Sequence, residues 1–232
     1  VKRGFFITGT DTGVGKTEAA CLLARSFRGA GLRVGVMKPV ETGCPESDGK
    51  LVPVDALKLQ EAAGSEARLE IINPYRLPLP LSPQTASEHF DITIEFEKIK
   101  SCYEELSIDS DIMLIEGAGG LLVPVSEGRS MADLALSLGL PVIVVAANRL
   151  GAINHTLLTV RCAISMGLNV AGVILNNATP EDNDISRGYN RADIARLCQA
   201  PLLFEIPFSD RKKEAPFLLE EGLLSDLLSR AT

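Results

Sequence analysis

This sequence predicts an α/β fold of three layers, α/β/α, around a mostly parallel central sheet, and three observations predict it. Short β-branched runs alternate with longer stretches of helical period, the pattern of strands joined by covering helices. Runs such as Val142-Ile143-Val144-Val145 show no polar alternation, as expected of strands buried on both faces. Of the 232 residues, 46% are hydrophobic and 23% charged, enough for a large core and without a sign of disorder, so one domain spanning 1–232 is expected.

The first strand is expected at 4–8, an apolar run too short for a signal-peptide core, leading through glycines into a helix at 16–28. A second strand at 33–38 ends on Lys38, and a helix follows at 54–63. Residues 73–83 carry Pro74, Pro78, Pro80 and Pro83, which forbids an interior helix and points to a surface loop. A helix at 94–106 precedes the strand 111–116, and a helix at 131–138 precedes the strand 141–147. The alternation closes with a helix at 154–166, a strand at 170–176, a helix at 187–199, a strand at 202–206 and a helix at 215–229.

A formal net charge of -7 opposes nucleic-acid binding, which relies on clustered Lys and Arg. The cysteines Cys21, Cys44, Cys102, Cys162 and Cys198 are odd in number and widely spaced, which suggests reduced thiols rather than a disulfide framework or a zinc site. No stretch is long and apolar enough to span a bilayer. A cytoplasmic protein without a membrane partner is expected.

The densest chemical signal is Gly9-Thr10-Asp11-Thr12-Gly13-Val14-Gly15-Lys16-Thr17, lying between a strand and a helix. Gly13 and Gly15 let the backbone approach an anion, and N–H groups at the helix start point toward phosphate oxygens. Lys16 would reach the β and γ phosphates of ATP, and Thr17 would set its hydroxyl on Mg²⁺, as in a P-loop. The usual spacing would place the first glycine at position 10, where Thr10 stands; counted from Gly9, five residues intervene. An ordinary glycine-rich turn is the plain alternative, but the order of strand, turn, Gly-Lys-Thr and helix favours nucleotide binding. Partition-type switch ATPases carry a further lysine near the loop start, where this chain has Asp11.

Other candidates gather at the carboxyl ends of strands, where open α/β sheets bind ligands. Lys38, in Lys38-Pro39-Val40-Glu41-Thr42-Gly43, could stabilise charge on a transferring phosphoryl group, or be a solvated strand-end lysine. Glu116 ends its strand before Gly117-Ala118-Gly119-Gly120 and resembles the second acidic motif that supports a metal on phosphates. Asp55 could join it on Mg²⁺, or simply complement a helix dipole. The N–H groups at Gly151-Ala152-Ile153-Asn154 could hold a carboxylate, with capping by Asn154 as the alternative. The amides of Asn176 and Asn177 could read a purine edge, or be turn residues. His89 and His155 have no ligand-type neighbours and are assigned neither to a metal nor to catalysis.

The ordered set of these motifs resembles the dethiobiotin synthetases over essentially the whole chain. It comprises residues 8–17, Lys38-Pro39-Val40 with Thr42-Gly43, Asp55-Ala56-Leu57, Asn73-Pro74-Tyr75 with Ser82-Pro83, residues 116–120, Leu150-Gly151 with Ile153-Asn154-His155, and Glu205-Ile206-Pro207. The resemblance implies a ligase of biotin biosynthesis that joins 7,8-diaminopelargonate and CO₂ or bicarbonate at the expense of ATP, through a carbamate and a carbamoyl phosphate. It implies Mg²⁺ on Thr17, Asp55 and Glu116, and charge stabilisation by Lys16 and Lys38. Gly13, Val14, Gly15, Lys16, Thr17, Glu116 and Gly119 would surround the nucleotide, with Asn176 and Pro207 toward adenine. Thr12 and Thr42 would lie beside the diamine or carbamate. The far carboxylate would meet Gly151, Ala152, Ile153 and Asn154 at the interface of a homodimer, with Tyr189 on the same side.

Two positions depart from the family pattern: Gly13 stands where some members are acidic, and Asn177 where an aspartate is also found. Another amide-forming ligase would share the phosphate and metal residues and differ in its acceptor pocket. A partner-binding switch ATPase would have no need of Lys38 or of the Asn154 helix start.

Overall fold

A computed structural model describes residues 3–180, 184–208 and 218–231. Its main sheet has six strands: β1 (Gly4–Gly9), β2 (Val34–Met37), β3 (Ile112–Gly120), β4 (Val142–Ala147), β5 (Val170–Asn176) and β6 (Leu202–Ile206). They pair in the order β6-β5-β4-β1-β3-β2, every neighbour parallel. Parallel neighbours need crossovers, and the helices α1 (Lys16–Gly29), α2 (Val54–Ala63), α3 (Leu69–Ile72), α4 (Pro83–Glu88), α5 (Phe96–Ile108), α6 (Met131–Leu138), α7 (Ala152–Ser165) and α8 (Arg187–Leu197) lie in those connections.

Phe5, Phe6 and Ile7 are all fully buried, and so are Ile143, Val144 and Val145. Successive strand residues point to opposite faces, so both faces of the centre are covered, as the unalternating runs predict. A final helix, α9 (Glu221–Arg230), buries Leu224 and Leu227, and the chain beyond it reaches β1, where Gly4 N–H donates to the Ala231 carbonyl at 2.9 Å. Of the helix expected at 215–229, residues 215–217 lie outside the described residues.

The region 73–83 corrects the sequence expectation of a surface loop. Tyr75–Leu77 is a strand, parallel to Val40–Thr42, and Asn73, Tyr75 and Leu77 are buried. Pro83 does not end structure here but opens α4, where its missing N–H is no loss, and Ser82 Oγ accepts from Thr85 N–H at 3.3 Å. The helix expected from Asn154 begins earlier, with Gly151 in the left-handed region at φ 93° just before Ala152, so Asn154 lies within the first turn rather than capping it.

Among the described residues no helix is long and apolar enough to cross a membrane. All five cysteines are free thiols, and burial pushes Cys21 up to about 12, where it stays protonated at neutral pH.

Candidate active site

The site forms where β1, β2 and β3 end. β1 stops at Gly9, where a Cβ would come within 2.9 Å of the Asp11 carbonyl and 3.2 Å of Lys16 Nζ, so the chain can turn this tightly only without a side chain. The loop closes at Gly15, held at φ 95° as the residue before α1. Beneath it stands Asn176, whose Nδ2 donates to the Val14 carbonyl at 2.9 Å and occupies the space a side chain at position 15 would need.

Lys16 is buried and its Nζ bonds the Asp11 carbonyl at 3.0 Å. Burial, aided by the nearby charge of Lys38, pushes its pKa down to about 8 despite the opposing pull of Glu116, Asp55 and Asp11. This cation is poorly solvated and short of counter-charge, the condition in which an arriving phosphate gains most.

Glu116 sits opposite. Its strand is in register with β1 at Ile7↔Glu116 and next at Gly9↔Gly120, so the glycine-rich stretch bulges between these two pairs. The bulge turns the Gly117 carbonyl toward Lys38 Nζ at 3.2 Å. Gly119 adopts φ 65° in the same stretch, which suits a glycine at the end of an apolar strand.

Two side chains converge on the Glu116 carboxylate, and a third, Asp55, joins them through Lys38. Glu116 Oε1 accepts from Thr17 Oγ1 at 2.9 Å and from Lys38 Nζ at 2.6 Å, and Asp55 Oδ2 lies 3.8 Å from the same Nζ. Lys38 is 4% exposed, which excludes the solvated strand-end lysine. Burial alone would lower its pKa, but Glu116 and Asp55 outweigh it and the net direction is upward, so Lys38 is held as a cation.

The other Glu116 oxygen, Oε2, is buried with no hydrogen-bond partner among the described residues. An unmet buried carboxylate oxygen is costly. Together with the Thr17 hydroxyl and the Asp55 carboxylate it makes a hard, all-oxygen donor set that fits Mg²⁺. No group of three or more His, Cys, Asp or Glu among the described residues is arranged to hold a metal. The ion would therefore need phosphate oxygens and water to complete its shell.

The structure thus brings Lys16, Thr17, Lys38, Asp55 and Glu116 into one cluster, with Gly13, Val14, Gly15 and Gly119 in the turns around it. Thr12 is exposed within the loop, and Thr42 is half-buried at the end of the short strand after Lys38. A cavity of about 110 Å³ lies on the other side of the loop, lined among others by Thr12, Gly13, Val14, Asn148, Asn176 and Arg187. Pro207 lies exposed just beyond β6, and Tyr189 is largely exposed on α8. The turn before α7 is tied back to the loop through Arg149, whose Nη2 is 3.8 Å from Asp11 Oδ2.

Two features escape a reading of the sequence. Glu41 is a buried carboxylate that accepts the N–H groups of Asp55 and Ala56 at 2.8 and 3.0 Å. Asn148 donates to Asn177 Oδ1 at 3.0 Å and to Glu205 Oε1 at 3.1 Å, and accepts from Asn190 Nδ2 at 2.9 Å, linking the ends of β4, β5 and β6 to α8. The amides after β4 and β5 were visible in sequence; their union is a property of strand order.

A family model described as an AAA domain matches residues 3–214. The chain is 41% identical to the ATP-dependent dethiobiotin synthetase BioD of Thermodesulfovibrio yellowstonii over 215 residues, covering 90% of each chain. It is 44% identical to the protein of the same name from Anaeromyxobacter dehalogenans over 206 residues, 89% of this chain and 90% of that one. Among solved structures, the septum site-determining protein MinD of Pyrococcus horikoshii, complexed with Mg-ADP, superposes with a TM-score of 0.55 at 21% identity, covering 97% of this chain and 86% of that one, a likeness of fold.

Proposed function

The chain belongs to the ATP-dependent dethiobiotin synthetases, and from that premise we propose that it closes the ureido ring of dethiobiotin from 7,8-diaminopelargonate, CO₂ and ATP, a late step of biotin biosynthesis. It is an ATP-dependent, carbon–nitrogen bond-forming ligase. The observation that carries the mechanism is the buried Lys38, kept cationic by Glu116 and Asp55 beside the phosphate loop.

One amine of the diamine adds to CO₂ and loses a proton, giving a carbamate. A carbamate oxygen attacks the γ phosphorus of ATP, the bond to ADP breaks, and a carbamoyl phosphate results. The second amine attacks its carbonyl carbon, phosphate leaves, and the ring closes.

The loop N–H groups from Gly13 to Thr17 and the Lys16 ammonium cradle the phosphates. Lys38 meets the charge that spreads over the transferring phosphoryl oxygens, from a position fixed before substrate arrives. Mg²⁺ on Thr17, Asp55 and Glu116 would supply further neutralisation of those oxygens. Asn176 and Pro207 face adenine in this reading, and Thr12 and Thr42 flank the carbamate. The remote carboxylate rests at the start of α7, on the N–H groups of Gly151, Ile153 and Asn154, with Tyr189 nearby, while the Ala152 N–H is given to the Arg149 carbonyl at 3.0 Å and shapes the turn.

The same reading makes the protein a homodimer with the diamine between copies. Leu150, just before α7, Leu158 on it, and Ile185 and Tyr189 at the start of α8 are all exposed and support it, since exposed large apolar side chains on elements beside a substrate site suit a covering partner. The continuous core supports one domain.

The experiment is phosphate release from Mg·ATP and bicarbonate, with and without 7,8-diaminopelargonate, with the product weighed by mass spectrometry. Diamine-dependent release with dethiobiotin formed, and its loss in Lys38→Ala, is the expected result. Nucleotide binding without diamine-dependent turnover would move the assignment to another acceptor.

A further inference from the structure

Helix α2 begins without a cap of its own. Pro53, at the capping position, offers no side-chain acceptor, and the first-turn N–H groups need partners. Glu41 supplies them from outside the helix: Oε1 accepts from Asp55 N–H at 2.8 Å and Oε2 from Ala56 N–H at 3.0 Å. A Ser, Thr, Asp or Asn at position 53 would cap the helix locally, without burying a carboxylate.

What the distant carboxylate adds is a fixed direction. Glu41 lies on the short strand Val40–Thr42, directly after Lys38-Pro39, and that strand is itself paired with Tyr75–Leu77. Both carboxylate oxygens are used, so the link resists rotation as well as separation. It acts on the backbone of Asp55, whose Oδ2 is 3.8 Å from Lys38 Nζ while Oδ1 is 3.5 Å from Lys58 Nζ on the same helix. Asp55 is half-exposed and, among the described residues, its carboxylate has no ion pair shorter than these, so the start of α2 decides where it points.

We propose that Glu41 is a positioning residue: by clamping the first turn of α2 to the Lys38 strand, it holds Asp55 in place as an oxygen donor to the metal. The proposal rests on Asp55 being one of the Mg²⁺-holding residues.

The test uses Mn²⁺ in place of Mg²⁺ on the full chain with ADP, following free Mn²⁺ by electron paramagnetic resonance. Glu41→Gln loses one acceptor and should weaken Mn²⁺ binding about tenfold or more, the usual effect of removing a residue that orients a ligand. Asp55→Asn should weaken it as well, and the double variant Glu41→Gln/Asp55→Asn should be no weaker than Asp55→Asn alone, because both act through one carboxylate. Adding Pro53→Ser to Glu41→Gln restores a cap; the melting temperature should recover while Mn²⁺ affinity stays low. That double variant also keeps the test open if Glu41→Gln folds poorly.

Wild-type Mn²⁺ affinity in Glu41→Gln, or its return together with the melting temperature on adding Pro53→Ser, would reduce Glu41 to a cap and overturn the proposal. Unchanged affinity in Asp55→Asn would remove Asp55 from the metal site, and the positioning role with it.

Discussion

Lys38 Nζ lies 2.6 Å from Glu116 Oε1, with both side chains almost wholly withdrawn from water. Such a pair is weak evidence of stability in itself, but removing one partner strands the other charge, at a cost of about 3–5 kcal/mol. Lys38→Met should therefore unfold at lower denaturant and lose turnover. The double variant Lys38→Met/Glu116→Leu should regain much of the stability and none of the activity. Denaturant titration beside the phosphate-release assay checks both; a stable, inactive Lys38→Met would mean that Glu116 finds another partner or reaches water when alone.

The depressed pKa of Lys16 predicts a pH dependence with a definite sign. Phosphate favours the charged ammonium, so above pH about 8 binding must be accompanied by proton uptake. The Kd for Mg·ADP should be flat below that pH and rise by up to about tenfold per pH unit above it, as one-proton linkage requires. Lys16→Met should flatten the profile. The ligand-free protein should behave oppositely: the unfolded chain keeps this proton to about 10.5 and the folded chain loses it near 8, so this group's contribution to stability rises across that window. Calorimetric titration in buffers of different ionisation enthalpy reads the uptake directly.

Asn176 serves the phosphate loop before any base arrives. Asn176→Ala leaves the Val14 carbonyl without its donor, a loss of about 1–3 kcal/mol for a buried group. Mg·ADP affinity should fall along with thermal stability. An unchanged melting temperature with weakened adenine discrimination would assign the amide to the base alone.

The α7 start is predicted to act on one substrate only. Asn154→Pro, which removes one of these N–H groups within the first turn of α7, should raise the diamine KM roughly tenfold or more, in keeping with a lost hydrogen bond to a charged group, and leave the KM for ATP unchanged. Equal changes in both constants would point to a general disturbance of the loop through the Arg149–Asp11 contact instead.

What could be read from sequence was what depends on neighbours along the chain. The fully apolar runs marked the central strands, and Gly13, Gly15, Lys16 and Thr17 marked the loop because their spacing follows one strand-to-helix turn. Lys38 and Glu116 could be placed at strand ends but not against each other, since β3 enters the sheet between β1 and β2 only in three dimensions. Proline content hid the strand Tyr75–Leu77, because Pro74 and Pro78 flank it without occupying it. Glu41 resembled one more polar residue in a turn; its role depends on a helix start 14 positions away.

The strand order also has a consequence in time. β1 is made first, but both its partners come much later: Gly4 pairs with Met113, and Phe6 with Val142. Thr17 waits 99 positions for Glu116. During synthesis the loop therefore leaves the ribosome long before anything can hold it in shape, and a chain stalled before β4 has no finished phosphate site. Contacts this distant in sequence make for slow folding, and the apolar β1 stays uncovered while it waits for its partners.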